Sequence, residues 1–206
     1  MKKYWNDFWK SKELIYKLYE PFVSILKNLY FTNIKVDYIK KFISNSHILE
    51  IGCGNGKLLE RLPNNNKMTG LDISRFAIKK ARKNLKNNKI SLILDDIFNK
   101  RFKSNTFDLV FSDSIIEHYS DRLEEFIREE YRITKRGGYI ITILGNNGLI
   151  RRIMFKFVYQ WDKDKTMSTE DYKKTFNKII QKISKNYKIE TVPKSFGILM
   201  AVVIKK

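Results

Sequence analysis

The chain has 206 residues, of which 43% are hydrophobic and 31% charged, and it carries a formal net charge of +19. That length and apolar content suffice for one α/β domain with a full core and extra elements at its ends. The single cysteine, Cys53, rules out an intrachain disulfide. With no apolar run long enough for a bilayer and no apolar signal core in MKKYWNDFWKSKE, a soluble, cytoplasmic protein is expected.

The N-terminal stretch 11 to 30, SKELIYKLYEPFVSILKNLY, has apolar pairs at helical spacing and a Pro at 21, which predicts one or two helices. From His47 onward short apolar runs alternate with amphipathic segments. HILEI is followed by KLLERL up to Pro63, and KMTGLD by SRFAIKKARKNLKNN with Ser74 as N-cap. Strands at 90–94 and 107–111 come next, then a helix from about Asp121 to Thr134. Asp121 and Glu124 have the spacing of a capping box for it. The turn RGG precedes a strand at 139–144. Residues 146–165 are basic and aromatic, STEDYKKTFNKIIQKISKN reads as a helix, and YKIETV and ILMAVVIKK form a final antiparallel pair. Successive βα units imply a parallel sheet with right-handed crossovers and one reversed strand. The chain divides into an N-terminal helical cap (1–35), a core (36–145) and a C-terminal part (146–206), all within one domain.

Of only 9 glycines in the chain, three lie at positions 52, 54 and 56, directly behind Glu50. In a doubly wound sheet the ligand sits outside the carboxyl end of the first strand, where this loop falls. Glycines there allow positive φ and let a ligand touch the backbone. A dinucleotide loop would read G-x-G-x-x-G, but Lys57 stands at its last position, and the carboxylate of Glu50 would repel a diphosphate while attracting an ammonium. Asp72 ends the second strand, placed to accept both hydroxyls of a ribose, and Asp95 and Asp96 follow the third. Acids at three successive strand ends suit a ligand with a positive head, a ribose and a base.

On ILEIGCGNG, GLDIS, LILDDIFNKRF, FDLVFSDSIIEHYSD and YRITKRGGYIITIL, in this order and spacing over about residues 36–145, the chain resembles the class I S-adenosylmethionine-dependent methyltransferases. The resemblance is to the small methyltransferase group with an E-I-G-C-G-x-G loop. It implies a Rossmann-like doubly wound α/β fold with a seven-stranded sheet in the order 3-2-1-4-5-7-6, strand 7 antiparallel, and S-adenosyl-L-methionine as cofactor. Glu50, Gly52 and Gly54 would line the methionine part and Gly56 would help the chain turn into its helix. Cys53 would be a small apolar member of the loop. Asp72 would hold the ribose, Ile73 would pack on the adenine, and Asp96 with the backbone of Ile97 would read the adenine edge. Asp96 is preferred to Asp95 by counting back from Phe102. Ser112, with Asp113 beside it, would close the pocket near the sulfonium.

The resemblance places acceptor-facing groups after the fourth strand, where SDSIIEHYSD lacks the N/D-P-P-Y/F/W motif of adenine and glutamine methylators. His118, next to Glu117, is the candidate general base for a hydroxyl acceptor, although the resemblance also implies that an E-H pair here commonly only braces the helix, and no metal ligands are assigned. Most of the aromatic residues of both ends, among them Trp5, Phe8, Trp9, Phe155 and Trp161, are expected to pack the helices on the sheet, and the alternative is an apolar lid over the acceptor. A small organic acceptor methylated on oxygen or nitrogen is expected. The alternatives are an RNA methyltransferase and an accessory subunit that binds the cofactor without transfer. Residues 146–206 carry 14 basic against 5 acidic groups, so RNA or an anionic membrane would meet that third. Lysine, however, supplies 31 of the 41 basic residues and asparagine numbers 17, a bias that AT-rich codons produce without a selected partner.

Overall fold

The computed structural model describes residues 1–8, 10, 30–86, 89–145 and 169–206. Most of the helical prediction for 11–30 and the basic aromatic stretch at 146–165 lie outside the described residues. The strands are β1 (His47–Ile51), β2 (Lys67–Asp72), β3 (Ser91–Leu94), β4 (Phe107–Asp113), β5 (Thr134–Gly145), β6 (Tyr187–Thr191) and β7 (Leu199–Lys205). They form one sheet in the order 3-2-1-4-5-7-6, with parallel pairing from β3 through β5 and antiparallel pairing of β7 to both β5 and β6. The expected sheet is the one found.

Side-chain alternation gives the sheet two buried faces. One carries Ile48, Leu109, Phe111, Ile141 and Val203 and is covered by helix α1 (Thr32–Ile39) and by Leu58 and Leu59 of α2 (Lys57–Arg61). The other carries Leu49, Val110, Ile140 and Val202 and is covered by Phe126 and Ile127 of α4 (Leu123–Ile133) and Phe176 of α5 (Thr169–Ile180). Helix α3 (Arg75–Asn84) has its N-cap at Ser74, whose hydroxyl accepts from Ala77 N, as expected. Among the described residues no helix is long and apolar enough to cross a membrane.

Local differences from the sequence reading have physical causes. Helix α2 stops after five residues, because Leu62 precedes Pro63 and is forced to an extended ψ of 152°. The capping box expected at Asp121 and Glu124 does not form. A 3-10 segment, Ile116–Arg122, runs into α4, so the N-cap position falls on Arg122 and no side chain caps it. Glu124 pairs with Arg128 instead, one turn further along the helix. The RGG expected as a turn is part of β5, which starts at Thr134. Gly137, at φ 78°, lets the strand pass through a register shift opposite Phe107 and Leu109.

Candidate functional site

β1 lies between β2 and β4, so the chain departs in opposite directions from its two sides and a crevice opens above its carboxyl end. The loop leaving β1 is bound to β2. Gly52 N and Cys53 N both donate to Leu71 O, at 2.7 and 3.0 Å, and Gly54 N donates to Asp72 Oδ2 at 2.9 Å. Gly52, Gly54 and Gly56 have φ of 71°, 53° and 76°, values that an L side chain rarely tolerates. At Gly52 space is equally decisive, since a Cβ there would lie 2.3 Å from Cδ1 of Ile115, on the loop after β4. The glycines thus bring the β1 and β4 loops together over a narrow, backbone-lined cradle.

A cavity of about 60 Å³ lies against this cradle. Its apolar wall, Ile51, Leu71, Ile97 and Tyr119, continues the second face of the core. Its polar wall is Asp72, Asp95 and Asp96, and Gly52, Gly54 and Ile73 complete the floor. Asp72 is held rigidly: Oδ1 accepts from Ser74 N at 2.8 Å and Oδ2 from Gly54 N. Burial raises its pKa, opposed by those two backbone bonds. Each oxygen keeps a second lone pair for a ligand hydroxyl. Asp96 spends Oδ1 on Phe98 N, capping the 3-10 turn Ile97–Asn99. Asp95 accepts from Asn99 Nδ2 at 2.6 Å, from Asp96 N and from Arg101. Burial works against its charge, but these bonds outweigh it and lower its pKa.

On the other face, the one covered by α1, lies a compact set of charges. Glu50 is 3% exposed, and its Oε2 has no hydrogen-bond partner among the described residues. Burial first, then Asp113 and Asp72, push its pKa well up, while Lys35 opposes them. Lys35 Nζ reaches both oxygens of Asp113, at 2.8 and 2.7 Å. One lysine therefore stands among three carboxylates, and a buried carboxylate oxygen waits for a donor. A ligand ammonium placed there would supply both charge and hydrogen bond. The donor set suits an amino acid head, and the cavity beside Asp72 suits a nucleoside. The residues present therefore fit a nucleoside joined to a cationic amino acid.

Of the residues singled out in the sequence, the cavity brings together Gly52, Gly54, Asp72, Ile73, Asp95, Asp96 and Ile97. Strand parity sends Ser112 the other way from its expected place. It lies on the second face, where its hydroxyl donates to Glu130 Oε1 at 3.2 Å inside the core. Asp113, the next residue, turns to Lys35. Cys53 is 5% exposed and packs into the first core, where its Sγ fills the space above Gly70. Gly56 is the αL residue at the start of α2 and packs on Leu85. His118 lies on the 3-10 segment after β4, its ring edge-on to Trp5 with centroids 4.6 Å apart. The sequence reading missed Lys35, Ile115 and Tyr119. It placed Trp5 among aromatic residues that pack the helices or cover an acceptor, whereas Trp5 lines the cavity beside Asp72.

Residues 49–142 match the family described as Methyltransferase domain. The seven-stranded sheet in the order 3-2-1-4-5-7-6 is the fold shared with solved structures of methyltransferases. A proposed S-adenosyl-L-methionine-dependent methyltransferase of Methanococcus maripaludis is similar in structure, with a TM-score of 0.73 at 22% identity over 98% of this chain and 93% of that one. A plantazolicin methyltransferase, solved with a monoazolic desmethylPZN analog and SAH, has a TM-score of 0.72 at 19% identity over 100% of this chain and 95% of that one. Among curated sequences, the ubiquinone biosynthesis O-methyltransferase of Pelagibacter ubique is 27% identical over 138 residues, 66% of this chain and 57% of that protein. The chain spans about half the length of the curated relatives it matches.

Proposed function

We propose that this protein transfers the methyl group of S-adenosyl-L-methionine to an oxygen or nitrogen of a small organic acceptor. The observation that carries the reading is the pairing of Glu50, buried with a free oxygen, and Asp72, doubly anchored, on either side of the Gly52–Gly54 cradle. One carboxylate meets a cation, the other meets vicinal hydroxyls, and the cradle leaves no room for side chains between them. Ile73 and Ile97 flank the base, and Asp96, with one oxygen still open, accepts from its edge. The small acceptor is favoured by the O-methyltransferase relative, whose name concerns ubiquinone biosynthesis.

The bound cofactor supplies a methyl group already activated on a sulfonium, so the chain needs no nucleophile of its own. The work left to this protein is positional. Glu50 and Asp72 fix two ends of the ligand, which holds the reacting carbon still relative to an acceptor entering from the β4 side. Lys35 pairs with Asp113, so that this carboxyl beside Glu50 is not left as an isolated buried group. Where the acceptor is a hydroxyl, its proton has to leave and a base is needed; for a neutral amine none is.

Methyl transfer from labelled cofactor to a panel of phenols, carboxylates and amines tests the reading, with total RNA as a separate arm. Labelled small-molecule product supports it, and label in RNA alone would transfer the assignment to that alternative. Cofactor binding with no transfer to any acceptor would instead point to an accessory subunit.

A further inference from the structure

The N-terminal segment, helical over residues 2–8, is tied to the cofactor pocket by contacts that nothing in the glycine loop requires. Asn6 Oδ1 accepts two hydrogen bonds from the start of α3, from Ser74 Oγ at 3.0 Å and from Arg75 N at 3.1 Å. Ser74 is the N-cap of that helix, and Arg75 N is one of the backbone donors a helix start leaves without an internal acceptor. The segment thereby fastens itself two and three residues beyond Asp72. One residue earlier, Trp5 enters the cavity wall opposite Ile73, Ile97 and Tyr119. Its indole stands edge-on to the His118 ring at 4.6 Å and edge-on to Phe8 at 5.3 Å. Met1 and Lys2 continue the wall over Leu94 and Asn99.

The space behind Trp5, about 60 Å³, adjoins a second cavity of about 320 Å³ that shares Ile73, Asp95 and Asp96 with it, a size that suits a cofactor-sized ligand. Every other wall of the first cavity belongs to the sheet or to loops bonded to it. Trp5 is carried by the N-terminal segment, held there by the two hydrogen bonds of Asn6 and by ring contacts with His118 and Phe8.

We propose that Trp5 is a cofactor-binding wall, latched by Asn6 on α3 and seated on His118, and that His118 acts as a positioning residue for Trp5. The inference rests on the proposed cofactor site. Trp5 covers the adenosine end, so that Asn6 and His118 affect cofactor retention without touching the transferred methyl group.

Calorimetric titration of the full chain with S-adenosylhomocysteine tests this. N6A should raise Kd by about three- to tenfold, the loss of hydrogen bonds at a half-exposed site. W5A and H118A should each raise it by about tenfold through lost ring packing. H118F keeps a flat ring in place and should restore binding to within about twofold of wild type, a rescue that a proton-transfer role for His118 would not produce. Combining W5A with H118A should cost no more than W5A alone, since the two act through one contact. Wild-type affinity in both W5A and N6A, or H118F binding as weakly as H118A, would overturn the inference. Absence of binding by the wild-type chain would refute the proposed function and this inference with it. Binding that wild type and variants share equally would refute this inference alone.

Discussion

Two glutamates are buried on opposite faces of the sheet, and the contrast between them separates a site from a core. Glu50 is 3% exposed and Glu130 fully buried, and among the described residues each has one carboxylate oxygen without a hydrogen-bond partner. Burial raises the pKa of both. Their surroundings differ. Glu50 lies beside a glycine cradle and shares its charge field with Asp72, Asp113 and Lys35. Glu130 lies within the second core, its carboxyl bonded to Ser112 and its pKa raised to about 8. The first is a carboxyl whose ionisation is resisted by burial and neighbouring acids until a cation arrives. The second is an acid kept protonated by its apolar setting, and it serves the fold. A shifted carboxyl alone would not have told them apart.

Substitutions break this comparison in different ways. Asp72→Asn should weaken S-adenosylhomocysteine binding most, by about a hundredfold, because it removes a charged acceptor from two ligand hydroxyls. Calorimetry measures the loss. Some of it will come from the loop, since Asp72 also fixes Gly54 and Ser74, and circular dichroism of the free protein reads that part.

Glu50→Gln should cost about tenfold in affinity. It should also abolish a pH effect. In the free protein burial and the neighbouring acids resist the ionisation of Glu50, and a bound cation favours the charged form. Binding should therefore release protons, and affinity should rise with pH until Glu50 is ionised in the free state. Titrations in buffers of different ionisation enthalpy measure that release, which the Gln variant should lack.

Glu130 has the opposite signature, seen in stability rather than binding. Its pKa in the folded protein, about 8, lies above the ordinary glutamate value of 4.5. Below 4.5 both states are protonated. Between the two values the unfolded chain is ionised while the folded one keeps its proton, so the contribution to stability falls with rising pH by about 1.4 kcal/mol per unit. Glu130→Gln should flatten this slope in denaturant titrations at pH 5 and pH 8 and leave cofactor affinity alone. Ser112→Ala is the mildest change. It removes one buried hydrogen bond, about 1 kcal/mol of stability, with no effect on S-adenosylhomocysteine binding if Ser112 belongs to the core. A tenfold loss of binding would return Ser112 to the site.

Ser112 also marks where the sequence could have been read further. The strand order followed from alternating apolar runs and a terminal hairpin, and the glycine loop with Asp72 from its position at the end of a strand. In FDLVFSD, Leu109 and Phe111 share one face and Val110 the other. Carrying that alternation forward two residues places Ser112 with Val110 and Asp113 with Phe111. The pattern was present and only had to be extended. Lys35 is another matter: nothing local distinguishes it among 31 lysines, and its importance arises when α1 packs beside β4. Trp5 likewise drew notice as an aromatic residue near the N-terminus. Its place opposite Ile73 depends on Asn6 reaching α3 across 68 residues. The failed capping box at Asp121 has a similar cause, since the 3-10 segment before α4 is held by Ile116 and Tyr119 in the core.

The central claim is that Glu50 and Asp72 frame a pocket for a nucleoside bearing a cationic amino acid head. Calorimetric titration of the wild-type chain with S-adenosylhomocysteine, repeated with a nicotinamide dinucleotide, tests it most directly. The account predicts saturable binding of the former with proton release, and no measurable heat from the latter. Silence with S-adenosylhomocysteine and saturation by the dinucleotide would contradict it.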